Sequence, residues 1–167
     1  MRLSTQRTFI SKALKHARLS LCVLILSLLT APVSAFAQTV KVTDINDFSL
    51  GSWSGSGDLQ NEDIVCIYNL GVSTYRVRLT GTGAGGAFRM TGTGGDIPYE
   101  VEFKSGAGSF VALTANAYTG FSGANTVSNS CGGSPNATIR VTARAASLAA
   151  VLTGSYSDTL TILLETN

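Results

Sequence analysis

Hydrophobic and polar residues alternate along most of this chain. Thr74–Thr80 sets Tyr75, Val77 and Leu79 on one face and Arg76 and Arg78 on the other. Tyr99–Lys104 repeats the pattern with Tyr99, Val101 and Phe103 inward, and Thr138–Ala145 with Ile139, Val141 and Ala143. A period of two predicts strands with one face on a core and the other in water. Ile64–Tyr68 is apolar on both faces and is expected as a central strand. The last alternating run, Gly154–Leu164, places Tyr156, Asp158, Leu160, Ile162 and Leu164 opposite Ser155, Ser157, Thr159 and Thr161. It is expected as one strand with no later neighbour to cover its edge. An unpaired edge invites a strand from another chain, a known mode of assembly.

Glycine-rich segments separate these runs: Gly81–Gly86, Gly92–Asp96, Gly106–Gly108 and Ser130–Asn136. They are expected as turns and loops. Several short strands with such punctuation predict an all-β sandwich with Greek-key connections. Ala145–Leu152 fits either a short helix or a strand and bend. The longest loop runs from about Asn116 to Pro135 and is rich in Ser, Gly, Asn and Thr. Loops of that length are often functional. Tyr118 and Phe121 lie in it and are the candidates for an exposed surface contact, whereas Trp53 and Tyr99 are expected in the core.

The first 37 residues have a different character. Arg2, Arg7, Lys12, Lys15 and Arg18 precede an apolar run, Leu19–Leu29, and Ala35-Phe36-Ala37 then supplies small residues for cleavage. That order reads as a secretory signal peptide over residues 1–37, with the mature chain starting at Gln38. The apolar run is short for a membrane span. Residues 38–167 are expected as a single domain with one core. Removing the leader removes five of the twelve basic residues, leaving seven against ten acids, a formal charge of −3. No basic stripe for nucleic acid remains.

The only histidine, His16, lies in the leader, as does Cys22. The mature chain keeps Cys66 and Cys131, which in an exported protein are expected to form one disulfide closing 65 residues. Such a loop is worth roughly 3–4 kcal/mol in the chain-entropy picture. Without histidine there is no Ser-His-Asp or Cys-His arrangement and no imidazole metal ligand. Glu62/Asp63 and Glu100/Glu102 read as solvated charges, and no catalytic residue, cofactor or metal is expected. Asn136-Ala137-Thr138 fits a glycosylation sequon.

Four segments carry a family resemblance. Phe48-Ser49-Leu50-Gly51-Ser52-Trp53, Asp63-Ile64-Val65-Cys66, Phe88-Arg89-Met90 followed by Ile97-Pro98-Tyr99-Glu100-Val101, and above all Gly154-Ser155-Tyr156-Ser157-Asp158-Thr159-Leu160-Thr161-Ile162 resemble the spore coat protein U domain of archaic chaperone–usher pilins. The resemblance implies an immunoglobulin-like sandwich missing its last strand. A periplasmic chaperone, and later a neighbouring subunit, would lend that strand. By position Tyr156, Leu160, Ile162 and Leu164 would line the receiving groove, and Val40 and Val42 would donate if the N-terminus donates. The implied partners are a periplasmic chaperone, an outer-membrane usher, other pilus subunits and a host or abiotic surface. The implied location is the cell surface, in a fibre for adhesion or biofilm formation. The family's usual cysteine near the mature N-terminus is absent, so Cys131 must pair with Cys66. The rival expectation is a self-contained secreted sandwich that binds carbohydrate or a surface through Tyr118 and Phe121.

Overall fold

The computed structural model describes residues Thr39–Asn167. The leader, with His16 and Cys22, lies outside the described residues. Among the described residues no helix is long and apolar enough to cross a membrane.

Among the described residues eleven strands and one short α-helix follow in order: β1 (Val40–Thr43), β2 (Leu59–Asn69), β3 (Thr74–Thr80), β4 (Arg89–Gly92), β5 (Gly95–Pro98), β6 (Glu100–Ser105), β7 (Val111–Ala112), β8 (Thr119–Ser122), β9 (Ala137–Ala143), α1 (Ala145–Ala149), β10 (Tyr156–Ser157) and β11 (Thr161–Thr166). Five strands form one sheet in the order β1-β2-β9-β6-β7, and three form another, β11-β3-β8. A small third sheet, β10-β4-β5, joins the β4–β5 hairpin to the segment before β11. Every ladder is antiparallel.

The inward faces share one core. Val65 and Ile67 of β2, Val101 and Phe103 of β6 and Ile139 and Val141 of β9 meet Tyr75, Val77 and Leu79 of β3. The protein is therefore an all-β antiparallel sandwich. In chain order β1, β2, β3, β6, β9 and β11 take the places A to F of an immunoglobulin-type sandwich, whose sheets are ABED and CFG. The outer edge of β11, where strand G would pair, carries no strand among the described residues.

Cys66 and Cys131 are joined in a disulfide that ties the loop before β9 to β2. Asn136 reinforces the same point. Its side chain accepts from the Ile67 N–H at 2.8 Å and donates to the Ile67 and Gly123 carbonyls, both at 2.9 Å. An amide so engaged is not a glycan acceptor in the folded chain, which removes the sequon.

Other expectations change as well. Ala145–Ala149 is a helix. The segment from Asn116 to Pro135 is not one loop, because Thr119–Ser122 pairs with β3. Ile64 faces solvent at 57 % exposure, so only Val65, Cys66 and Ile67 bury both faces of β2. The final alternating run is two strands rather than one: β10 pairs with β4, and β11 with β3.

Candidate functional site

Asp158 makes that break. Tyr99 Oη donates to its Oδ2 at 2.6 Å, and the backbone N–H groups of Thr82 and Thr159 donate to its Oδ1 at 2.9 and 2.7 Å. The Thr82 hydroxyl donates to the same oxygen. Burial pulls the Asp158 carboxyl upward, but these four donors outweigh it and hold it below its ordinary value. Tyr99 is pushed well above the usual phenol range, by burial first and by the Asp158 carboxylate second. Asp158 is bonded both to Tyr99, between β5 and β6, and to Thr82 in the β3–β4 loop, and the β10 ladder stops before it while β11 starts after it at Thr161.

Glycines make room for this junction. A Cβ on Gly81 would sit 2.5 Å from the Ala87 carbonyl oxygen and 2.6 Å from Asp158 Oδ2. A Cβ on Gly92 would strike the Ser155 carbonyl and the Tyr156 ring, at 2.5 and 2.6 Å. Tyr156 lies across the β4–β5 hairpin and donates to the Leu152 carbonyl at 2.5 Å.

Beyond the junction, a groove of about 1000 Å³ opens into the core. One wall runs from Gly154 to Ile162 and carries Tyr156, Leu160 and Ile162. The other is the irregular strap after β1, with Phe48, Leu50 and Trp53. Leu79, Ile97, Ile139 and Val141 form the floor, and Met90, Leu148 and Val151 the far end. Leu164 packs on the core but does not line the groove.

The backbone of β11 points the same way as its side chains. On the β8 side of β3 the bonds are made by odd-numbered residues, since Gly123 N–H donates to the Ser73 carbonyl and Asn116 N–H to the Leu79 carbonyl. Opposed residues of an antiparallel ladder alternate between bonded and non-bonded pairs. The bonded pairs toward β11 are therefore Arg76–Glu165, Arg78–Leu163 and Thr80–Thr161. Ile162 and Leu164 turn their N–H and C=O groups to the open edge while their side chains face the core. Apolar side chains and unpaired backbone groups thus occur on the same residues.

The other expected site residues lie elsewhere. Val40 and Val42 sit in β1, paired with β2 from Val40–Asn69 to Thr43–Cys66, and pack on the chain's own core. In this fold they are part of a sheet and not a free donor segment. Phe121 is no surface contact: it stacks on Tyr75 and packs at a tilt against Phe103, with centroids at 6.0 and 4.6 Å. Tyr118 lies on the outer face of the β11-β3-β8 sheet, where Arg76 and Arg78 approach its ring to 5.1 and 4.9 Å. Its hydroxyl donates to Glu165, which also pairs with Arg76 at 2.8 Å. Glu62 and Glu102 pair with Arg140, and Glu100 and Asp58 with Arg144, across the outer face of the large sheet.

No protein-family model matches the chain, and no curated protein matches it. Among solved structures it is similar to a chain of a chaperone–tip adhesin complex described as vital for activation of CFA/I fimbriae biogenesis. The TM-score is 0.58 at 15 % identity, over 77 % of this chain and 41 % of that one. The chain thus spans less than half the length of this neighbour. The likeness is one of fold: an antiparallel β-sandwich found also in a fimbrial complex.

Proposed function

We propose that this protein is a fimbrial subunit completed by a strand from another chain. The observation that carries the reading is the coincidence at β11 of an apolar groove and an unpaired backbone edge. Contiguous apolar side chains rimmed by polar residues mark interaction sites, and an added strand supplies apolar side chains and hydrogen-bond partners at once. The fold neighbour's fimbrial setting and the resemblance to spore coat protein U domains support the same reading. Residues 1–37 would be its signal peptide and residues 38–167 its single domain. A periplasmic chaperone, an usher and neighbouring subunits would be its partners, and the cell surface its destination. The role is adhesion or biofilm formation, without catalysis.

The test is expression of the chain in a bacterial periplasm with and without a strand-donating chaperone, followed by sizing. The expected result is a soluble one-to-one complex with the chaperone, and a reduced soluble yield without it, the remainder being lost to aggregation or proteolysis. Leu160→Asp and Ile162→Asp should each abolish capture, because a carboxylate would be buried without a partner. A soluble yield that does not depend on the chaperone, together with no binding of the chaperone, or full capture of both variants, contradicts the proposal.

A further inference from the structure

The inner face of β2 should read as apolar throughout, since it lies over the core. Leu59, Val65 and Ile67 obey, but Asn61, Asp63 and Asn69 occupy the same face; Asn69, at the far end, donates to the Thr74 carbonyl at 2.7 Å, and Asp63 is only 8 % exposed. An acid buried there is costly unless its oxygens are satisfied. Both are, and by one residue: Asn46 donates to Asp63 through its backbone N–H and through Nδ2, each at 2.9 Å. Asn61 Nδ2 in turn donates to the Ser49 carbonyl at 2.8 Å.

Asn46 and Ser49 belong to the strap that walls the groove. The β1–β2 ladder ends at Thr43–Cys66. Asp44 then turns to a φ of +64°, which takes the chain off the strand path. If the register ran on, Asn46 would still face Asp63. No backbone hydrogen bond joins residues 44–53 to β2 among the described residues. The strap therefore follows β2 but is held by side chains instead of a ladder. Its apolar residues Phe48, Leu50 and Trp53 form the groove wall opposite Leu160 and Ile162.

We infer that Asp63 and Asn61 are positioning residues for the groove: they clamp the strap through Asn46 and Ser49 and so fix the spacing of the second wall for an incoming strand. The inference rests on the proposed function but assigns a role to residues that touch no incoming strand. A ladder would bring the strap against β2. A free strap would let the wall collapse or drift. The clamp holds it between the two.

The experiment uses the full chain carrying, after a flexible Gly–Ser linker at its C-terminus, a strand of alternating Val and Thr. Two readouts are taken: amide exchange at Ile162 and Leu164, and fluorescence of Trp53, the only tryptophan and a strap residue. In the native tethered chain exchange at these amides should slow by about tenfold or more relative to the untethered chain. Asn46→Asp sets two carboxylates face to face. It should shift Trp53 emission to the red and remove that protection. Combining Asn46→Asp with Asp63→Asn restores one carboxylate and one amide, and should return both readouts to near native values. If Asn46→Asp leaves the protection intact, or if the exchanged pair fails to restore it, the clamp is overturned. If the tethered strand protects nothing even in the native chain, the strand-acceptor reading itself fails, which is a separable result.

Discussion

The two ends of the core contrast. Around Phe103 the sandwich is sealed: Tyr75, Phe103 and Phe121 pack ring on ring, and Tyr75 and Phe103 have no exposed surface. Tyr75 Oη donates to Ser105 Oγ at 2.9 Å, and burial raises its pKa to about 12 despite that bond. Around Leu160 the same core is open. Leu79, Ile139, Leu160 and Ile162 line a groove together with Phe48, Trp53 and Tyr156, and the outer edge of β11 carries no strand among the described residues. The contrast shows that the open end is not simply poor packing. Its edges are held by specific polar contacts, Asp158 on one wall and the Asn46–Asp63 pair on the other, which a loosely packed surface would not require.

That contrast sets the expected order of mutational effects. Phe103→Ala should cost about 3–5 kcal/mol, the range for a buried aromatic that leaves a cavity. Ile162→Ala, at the open end, should cost under about 2 kcal/mol, because its environment is half finished. Denaturant unfolding of both variants measures the difference, and equal costs would mean that the groove end is as well packed as the sealed end. Removing the disulfide by replacing Cys66 and Cys131 with Ala should cost about 2–5 kcal/mol, read by thermal unfolding under oxidising conditions.

The Asp158 junction predicts a smaller, pH-dependent effect. Its carboxyl titrates lower in the folded chain than in the unfolded one, so its stabilisation is complete above the unfolded value of about 4 and is lost as pH falls through the folded value. The stability gap between the native chain and Asp158→Asn should be constant at neutral pH and shrink below about pH 4. A gap that does not change with pH would show that the charge of Asp158 contributes nothing.

Much of the fold was legible because alternation reports burial directly. β3, β6 and β9 lie where Tyr75/Val77/Leu79, Val101/Phe103 and Ile139/Val141 alternate with polar residues. The single final strand was not legible as two, because Asp158 keeps the alternation while its partners Thr82 and Tyr99 are remote in sequence. Phe121 sits in a Ser/Gly-rich stretch whose four-residue strand is too short to stand out. Phe48–Trp53 looked like a strand opening. It is an irregular strap, since the turn at Asp44 depends on a backbone conformation that composition does not reveal. The second wall did leave a trace: Asn61 and Asp63 stand between Leu59 and Val65 on the core face of β2, and polar residues on a core face need a reason.

The central claim is that the edge of β11 is open and ready to pair. Residue-resolved amide exchange on the uncomplemented chain tests it directly. Leu163 and Glu165, bonded to β3, should be protected, whereas Ile162 and Leu164 between them should exchange rapidly and slow only when a strand is supplied. If Ile162 and Leu164 are as protected as Leu163 before any strand is added, the sandwich closes itself and the account is contradicted.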